Sequence, residues 1–317
     1  MTMTCVVTGG AGFIGSHLVE RLLRDGSRVR VIDNFLTGKR ANLDGLRGDL
    51  EVCEISITDK AALDSAFAGA DVVFHQAALP SVPRSVADPL LSHEINVTGT
   101  LNVLMAARDA GVRRVVYAAS SSAYGDIEGD AKVETMAPAP LSPYGVSKLA
   151  GEYYCRAFTA SYGLPTVALR YFNVFGARQD PKSEYAAVIP RFVTALLRGE
   201  APIIYGDGEQ SRDFTYIDNV VQGNLLAATS EAAVGQAMNL ALGQRITLLE
   251  LVAKINAILG TNIAPQHAPA RAGDIKHSRA DGGLAKRLLG FEPEVDFDEG
   301  LRRTVAWYKA QMQGRHS

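Results

Sequence analysis

A glycine-rich segment near the N-terminus constrains the fold of this chain more than any other feature. Residues 8–15 read TGGAGFIG and lie between a β-branched run at 5–8 and an amphipathic stretch at 16–23. Glycine permits a tight strand-to-helix turn and lets a phosphate approach bare backbone, while the helix N-terminus offers N–H groups to an anion. The spacing G-x-x-G-x-x-G therefore predicts a strand–turn–helix unit that binds the pyrophosphate of a dinucleotide.

An acidic residue supports this interpretation. Asp33 ends a second β-branched run at 29–33, 18 residues after Gly15. A carboxylate at that point can accept hydrogen bonds from an adenosine ribose diol and would repel a 2′-phosphate. The position predicts NAD as the cofactor, although the nearby cations Lys39 and Arg40 leave NADP open.

The first half of the chain alternates strand-like and helix-like segments. Apolar runs at 5–8, 29–33, 71–75, 115–119 and 166–170 alternate with helical patterns at 16–23, 96–110 and 143–162. Alternation of this kind predicts an α/β fold, a Rossmann-type doubly wound parallel sheet, with a smaller C-terminal substrate-binding domain. We expect an NAD-binding domain over 1–175 and a substrate domain over 176–317, with a segment near 213–240 packing back on the first.

Composition excludes several classes of protein. The 317 residues carry a formal net charge of −2, which does not suit a protein that coats nucleic acid or an anionic membrane. No apolar run is long enough to predict a membrane span, and the N-terminus lacks the pattern of a signal peptide. Three widely spaced cysteines and scattered histidines predict a cytoplasmic protein without disulfide bonds or a metal site.

The segment 142–148, which reads SPYGVSK, carries the most chemical information. Ser142 suits a helix N-cap and Pro143 the first helical position, so Tyr144 and Lys148 would share one helix face. A nearby ammonium favours the phenolate form of a tyrosine, and a phenolate can remove a hydroxyl proton. We therefore expect Tyr144 to be a general base and Lys148 its partner, which would also bond the nicotinamide ribose.

A hydroxyl cluster follows the strand predicted at 115–119. Ligands bind beyond the carboxyl ends of strands in open parallel sheets, so Ser120 is expected to bond a sugar hydroxyl and relay its proton to Tyr144. Ser121 and Ser122 would contact the sugar.

With these motifs, the chain resembles the extended short-chain dehydrogenase/reductases that act on nucleotide sugars, over nearly its whole length. The resemblance is greatest to the UDP-N-acetylglucosamine 4-epimerase branch of the UDP-glucose 4-epimerases. Further segments that carry it are 75–85 (HQAALPSVPRS), 171–176 (YFNVFG), 206–214 (GDGEQSRDF) and 271–278 (RAGDIKHS).

The resemblance implies roles for particular residues. The implied cofactor ligands are Gly9, Gly12, Phe13, Ile14, Gly15, Asp33, Asn34, Glu54, Ile55, Gln76, Ala77, Ala78, Asn96, Tyr144, Lys148 and Tyr171. The implied ligands of the UDP-sugar substrate are Ser121, Ser122, Tyr144, Asn173, Val188, Tyr205, Arg212, Arg271 and Ser278. The two arginines resemble a clamp on the diphosphate, which suits their bidentate, charge-assisted bonding. The alternative for either arginine is an ion pair with Asp213 or Asp274.

Neighbouring residues favour one reaction within this group. Related dehydratases carry an Asp-Glu pair beside the hydroxyl residue, and related decarboxylases tend to have a glutamate nearby, whereas this chain has Ser121 and Ser122. We therefore predict hydride removal and return at C4 of a UDP-hexose. Ser278 matches a position that is small in members admitting an N-acetyl group, and Pro80 replaces a lysine of plain UDP-glucose epimerases. Both favour UDP-GlcNAc/UDP-GalNAc, with UDP-Glc/UDP-Gal as a further pair.

Other functions remain open from the sequence. A UDP-glucuronate 4-epimerase or decarboxylase would need a cation for the sugar carboxylate, for which Arg84 is the candidate. A non-catalytic NAD-sensing regulator would usually lack the Tyr144–Lys148 pair, and a carbonyl reductase would release its cofactor. The resemblance also implies a homodimer through the helices near 96–110 and 143–162.

Overall fold

The computed structural model describes residues 2–127, 129–181, 187–270, 276 and 278–313. Its strands, in chain order, are β1 (Thr4–Thr8), β2 (Arg28–Ile32), β3 (Leu50–Cys53), β4 (Val72–His75), β5 (Arg114–Ser120), β6 (Thr166–Tyr171), β7 (Val174–Phe175), β8 (Ile203–Tyr205), β9 (Ser211–Arg212), β10 (Thr215–Tyr216), β11 (Ala237–Leu240), β12 (Ile246–Thr247) and β13 (Gln266–Ala268). Its α-helices are α1 (Phe13–Arg24), α2 (Lys60–Ala66), α3 (Val82–Ala87), α4 (Pro89–His93), α5 (Gly99–Asp109), α6 (Pro143–Tyr162), α7 (Val188–Leu197), α8 (Ile217–Thr229), α9 (Leu248–Leu259), α10 (Gly283–Leu289) and α11 (Phe297–Gln313). Single turns of 3₁₀-helix lie at Arg40–Asn42 and Ser121–Ala123, and a π-helical turn at Glu94–Thr98 joins α4 to α5.

Seven strands form the central sheet, in the order β11-β6-β5-β4-β1-β2-β3, and every neighbouring pair is parallel. The order reverses direction between β1 and β4, which creates a crevice at the carboxyl ends of these strands. The predicted doubly wound α/β fold is confirmed. The sequence pattern missed β3, whose short run Leu50–Cys53 includes two polar or weakly apolar positions at the sheet edge.

Alternate residues of each central strand supply two apolar cores, one on each face of the sheet. In β1, Cys5 and Val7 enter one core and Val6 enters the other, and all three are fully buried. Burial on both faces explains why these strands appear in the sequence as continuous apolar runs.

The helix α6 begins and ends where its capping residues predict. The Ser142 hydroxyl accepts a hydrogen bond from the Gly145 N–H at 3.1 Å, Pro143 occupies the first turn, and Gly163 ends the helix in the left-handed conformation. This fixes Tyr144 and Lys148 in its first two turns.

The segment at 217–240 belongs to the layers of the central sheet. Helix α8 packs on α1, and β11 pairs in parallel with β6 as an edge strand. The remaining C-terminal chain forms two-stranded pairs, β12 with β9 and β13 with β8, together with α7 and α9 to α11. None of the helices within the described ranges is long and apolar enough to cross a membrane.

Candidate active site

A cavity of about 860 Å³ lies at the carboxyl ends of the central strands. It gathers residues from the glycine turn, the end of β2, the segment after β4 and helix α6. The predicted cofactor residues that line it are Gly9, Gly12, Phe13, Ile14, Gly15, Asp33, Asn34, Ile55, Gln76, Ala77, Ala78, Tyr144, Lys148 and Tyr171. Gly9 and Tyr171, which are 162 positions apart, therefore meet at the crevice where a dinucleotide binds in such sheets.

The glycine turn is packed too tightly for side chains. A Cβ on Gly15 would lie 2.1 Å from the carbonyl oxygen of Gly9, and a Cβ on Gly9 would lie 2.7 Å from the backbone nitrogen of Ala77. Gly9 also has a positive φ of 68°. Gly12, by contrast, faces the cavity, and its added Cβ would meet only the Gly9 oxygen, at 3.1 Å. Bare backbone at the start of α1 fits a pyrophosphate.

The Asp33 carboxylate is fixed at the end of β2. One oxygen accepts a hydrogen bond from the Ala11 N–H at 2.9 Å and the other from the Phe35 N–H at 2.8 Å. Burial raises the pKa of Asp33, and the two N–H bonds oppose that rise. A Cβ on Gly38 would lie 2.8 Å from the Asp33 carboxylate oxygens, so the Gly38 backbone packs directly against this carboxylate.

Both cations that left NADP open have acidic partners. The Lys39 ammonium lies 2.6 Å from the Asp180 carboxylate, and the Arg40 guanidinium pairs with Glu54 and lies 4.0 Å from the centre of the Phe35 ring. A 2′-phosphate would have to compete with these acids and with Asp33. The charges around Asp33 therefore fit NAD, which has no 2′-phosphate.

Two residues predicted for the cofactor lie away from the cavity. Glu54 is exposed and engaged by Arg40, because the residue after β3 turns outward and leaves Ile55 to face the cavity. Asn96 is buried in the π-helical turn, where it bonds the Leu79 N–H at 2.7 Å and the Ser147 hydroxyl at 3.0 Å. Asn96 thus ties the segment after β4 to α6.

The three predicted catalytic residues meet beside the cavity. Ser120 ends β5, and its hydroxyl shares a hydrogen bond with the Tyr144 hydroxyl. The Tyr144 backbone N–H donates to the Ser85 hydroxyl at 3.0 Å, which anchors α6 on α3. Burial raises the pKa of Tyr144 more than the bond to Ser120 lowers it, so its side chain is a neutral phenol. The phenolate predicted from the sequence, with Lys148 and the nicotinamide of NAD supplying positive charge, stays a prediction.

Lys148 is buried, with 4% of its surface exposed. Burial lowers the pKa of this ammonium to about 8. A cation held this close to its titration point can change its interaction with a neighbouring phenol as charge on the cofactor changes.

A second cavity of about 260 Å³ adjoins the first, and Val174 and Ala187 line both. It holds four predicted substrate residues, namely Asn173, Val188, Tyr205 and Arg212. Arg191 and Gln210 line it as well, and the Arg191 guanidinium lies 5.9 Å from the centre of the Tyr205 ring. Arg191 could not be selected from the sequence, because one arginine on an amphipathic helix has no distinguishing local pattern.

The surroundings of Asp213 bear on the role of its neighbour Arg212. The Asp213 carboxylate is fully buried and accepts hydrogen bonds from the N–H groups of Leu242, Gly243 and Ala280, at 3.0 to 3.2 Å. Burial raises its pKa to about 6. These backbone donors hold Asp213 in a structural role, while Arg212 lines the cavity.

The other predicted substrate residues have different positions. Ser121 and Ser122 form the 3₁₀ turn after β5 and do not line the described parts of either cavity. The Ser278 N–H donates to the Ser211 carbonyl at 3.1 Å, which places Ser278 beside β9 and Arg212. Arg271 lies outside the described residues.

One wall of the large cavity depends on a residue that the sequence analysis did not select. Asn224, on α8, donates to the Tyr171 hydroxyl at 2.8 Å, and the Gln76 amide donates to the same hydroxyl at 3.1 Å. Burial raises the pKa of Tyr171 to about 12, so its hydroxyl stays protonated. These three side chains join β6, α8 and the segment after β4 into one rigid wall.

Comparison with known proteins agrees with this site. The family described as NAD dependent epimerase/dehydratase matches residues 5–241. A UDP-N-acetylglucosamine 4-epimerase from Methanobrevibacter ruminantium, solved with UDP-N-acetylmuramic acid, is 43% identical with a TM-score of 0.94, covering 98% of this chain and all of that one. The UDP-glucose 4-epimerase of Thermus thermophilus, solved with NAD, is 38% identical with a TM-score of 0.88, covering 97% of this chain and 99% of that one. The UDP-glucose 4-epimerase of Mycolicibacterium smegmatis is 38% identical over 316 residues, covering 98% of this chain and all of that protein.

The glycine turn, the Asp33 carboxylate and the Ser120–Tyr144–Lys148 group thus lie in a chain that matches these enzymes along nearly its full length. The chain belongs to the NAD-dependent epimerase/dehydratase family and is an enzyme of its UDP-sugar 4-epimerase group, with NAD as cofactor.

Proposed function

We propose that this enzyme interconverts UDP-GlcNAc and UDP-GalNAc, and that UDP-Glc and UDP-Gal form a second substrate pair. The observation that carries the proposal is the hydrogen-bonded Ser120–Tyr144 hydroxyl pair, which lies beside Lys148 and next to a cavity lined by Arg191 and Arg212. The hydroxyl pair suits proton removal from a sugar hydroxyl, and the arginines suit a diphosphate.

One group of residues would carry out the proton transfer, and another would hold the nucleotide part of the substrate. As its phenolate, which the positive charges of Lys148 and bound NAD⁺ would favour, Tyr144 would take the proton of the sugar 4-hydroxyl, with Ser120 bonding the same oxygen, and give it back after the sugar has turned. When bound in the large cavity, NAD would supply the hydride acceptor for C4 and the hydride donor for its return. Asn173, Arg191 and Arg212 hold the nucleotide diphosphate while the 4-keto sugar rotates about its phosphate link. Since no net oxidation occurs, the cofactor stays bound through turnover.

An NMR time course of the purified protein with UDP-GlcNAc and no added cofactor tests this proposal. We expect UDP-GalNAc to appear and to reach an equilibrium ratio that is the same from either sugar. The heat-denatured protein is the control for non-enzymatic change. The proposal would be contradicted if neither UDP-GlcNAc nor UDP-Glc were converted.

The N-acetyl preference predicts the result of a Ser278→Tyr substitution. A bulky ring beside β9 would fill the space expected for the acetamido group but not that for a hydroxyl. We expect kcat/KM for UDP-GlcNAc to fall at least about 10-fold while that for UDP-Glc changes less than about 3-fold. Ser278→Ala is the matched control and should leave both values near wild type. Equal losses for both sugars would refute a role for Ser278 in selectivity.

UDP-glucuronate 4-epimerisation is the second candidate function, and one observation favours it. The Arg84 side chain lines the large cavity together with Tyr144 and pairs with no acid among the described residues. A guanidinium there suits a sugar carboxylate. Conversion of UDP-glucuronate to UDP-galacturonate, faster than the reaction with UDP-GlcNAc, would favour this candidate. Loss of CO₂ would instead indicate a decarboxylase.

We also propose that the enzyme is a cytoplasmic homodimer. Apolar side chains stand exposed on adjoining helices, α3, α4 and α6: Val86, Leu90, Leu91, Val146, Tyr153 and Tyr154. An apolar surface of this kind on packed neighbouring helices suits a symmetric copy of itself. The three free cysteines agree with a reducing compartment.

The dimer predicts a shift in mass for charged variants. We expect Leu90→Glu combined with Val146→Glu to sediment as a monomer at micromolar concentration, while the wild type sediments as a dimer. Ile258→Glu, on α9, provides an exposed apolar position outside this surface and should leave the dimer intact. A monomeric wild type would contradict the proposal.

A further inference from the structure

Lys148 keeps its ammonium in an unusual environment. The residue is almost completely buried and lines the large cavity, and within the described ranges no hydrogen bond or ion pair holds its Nζ atom. A buried charge without a partner is costly, and such groups normally pair or lose their proton. Burial lowers the pKa of Lys148 to about 8, so a contact that stabilises the ammonium would help to keep it charged near neutral pH.

The face of an aromatic ring provides such a stabilising contact for the Lys148 ammonium. The Nζ atom of Lys148 lies 4.8 Å from the centre of the Tyr117 ring, within the range of a cation–π interaction. Tyr117 lies on β5, three residues before Ser120, and is fully buried. The ring and the catalytic serine therefore belong to one strand, and the Tyr117 ring packs on α6.

The Tyr117 ring is held rigidly in this position. Its hydroxyl donates to the Lys148 carbonyl at 3.2 Å and packs on Gly151, where a Cβ would lie 2.3 Å from the oxygen. The His75 ring lies behind it, with 5.5 Å between ring centres. His75 in turn bonds Thr8 at 2.7 Å and Thr100 at 2.9 Å.

The other titratable groups around Lys148 do not replace the ring. Burial lowers the pKa of His75 to about 3, so the imidazole is neutral, and burial raises the pKa of the Cys155 thiol, so it is neutral too. Tyr144 is a phenol, because burial raises its pKa. The Glu152 carboxylate, one turn further along α6, bonds the Arg170 guanidinium at 2.6 and 2.8 Å.

We propose that Tyr117 is a positioning residue for the catalytic lysine: the face of its ring directs the Lys148 ammonium into the cofactor cavity and keeps it charged. The inference rests on the proposed role of Lys148 in epimerisation. It assigns to a buried core tyrosine a function in the chemistry that packing alone would not give it.

Fluorinated ring analogues separate this electrostatic role from packing. Tyr117→Phe removes the hydroxyl and keeps the ring face, whereas 3,4,5-trifluorophenylalanine at position 117 keeps the ring but withdraws its negative charge from the face. The pKa of Lys148 is then measured directly by NMR titration of ¹³Cε-labelled lysine, with the signal assigned by its loss in Lys148→Arg. This readout needs neither substrate nor turnover.

We expect the pKa of Lys148 to be nearly equal in the wild type and in Tyr117→Phe, and lower by about one unit in the trifluoro protein. The alkaline limb of the kcat profile should move to lower pH by the same amount. Equal lysine pKa values in the phenylalanine and trifluoro proteins would overturn the proposal, and so would a lower melting temperature without any pKa change. If the wild type converts no UDP-sugar, the function proposed above fails, while the titration still tests the role of Tyr117.

Discussion

Tyr144→Phe is expected to lower kcat by about 10²- to 10⁴-fold, the usual contribution of a general acid–base residue. The substitution removes only the hydroxyl that is bonded to Ser120 beside Lys148. The ring still fills its place and the backbone N–H still bonds Ser85, so α6 and the cavity should keep their form. The loss should therefore appear in turnover and not in binding.

The measurement combines steady-state kinetics on the preferred UDP-sugar with the NAD content of the purified variant, determined after denaturation. Tyr153→Phe is the matched control, because Tyr153 lies on the same helix and is 51% exposed. It should retain wild-type turnover. Wild-type turnover in Tyr144→Phe would remove Tyr144 from the chemistry, whereas loss of NAD would assign it a structural role instead.

Features that depend on neighbouring residues could be predicted from the sequence. Helix α6 was located by the Ser142 hydroxyl and by Pro143, which act within one turn of the chain. The glycine turn was predicted for the same reason, since its conformation needs positive φ at Gly9 and the absence of a Cβ at Gly15. The parallel sheet followed because strands buried on both faces give continuous apolar runs between helical segments.

Contacts between distant parts of the chain could not be predicted in this way. Glu54 directly precedes Ile55, which faces the cavity, but its side chain turns outward to Arg40. Asn224 bonds Tyr171 across 53 residues, and no local pattern distinguishes it from other polar residues on a half-buried helix. The pKa of Tyr144 also depends on burial, and burial is decided by the complete fold.

The site separates two kinds of binding that the proposed reaction needs. The large cavity is formed mainly by backbone and rigid side chains, such as the bonded group of Gln76, Tyr171 and Asn224. The small cavity carries Arg191 and Arg212, whose long side chains can follow a diphosphate. A rigid cavity for the cofactor beside a separate cationic cavity for the substrate would suit the proposed mechanism, in which only the sugar turns.

Gly15→Ala is expected to abolish retention of NAD, because the new methyl group would lie 2.1 Å from the Gly9 carbonyl oxygen. The methyl carbon is bonded directly to the backbone and the oxygen is itself a backbone atom, so neither can move alone. The start of α1 must therefore shift, at a cost of about 1–3 kcal/mol. The shift moves the helix N-terminus away from its position under the pyrophosphate. We expect a protein purified without NAD and with a melting temperature several degrees below wild type.

Gly12→Ala is the matched comparison, because its methyl group would meet only one protein atom within 4 Å, at 3.1 Å, and would otherwise enter the cavity. In the absence of cofactor it should melt close to the apo wild type, yet bind added NAD weakly. Differential scanning fluorimetry of the two apo variants, with and without NAD, measures both effects. If Gly15→Ala kept a full complement of NAD and the wild-type melting temperature, the turn would be more adaptable than its contacts indicate, and the cofactor would be held chiefly by Asp33 and the wall around Tyr171.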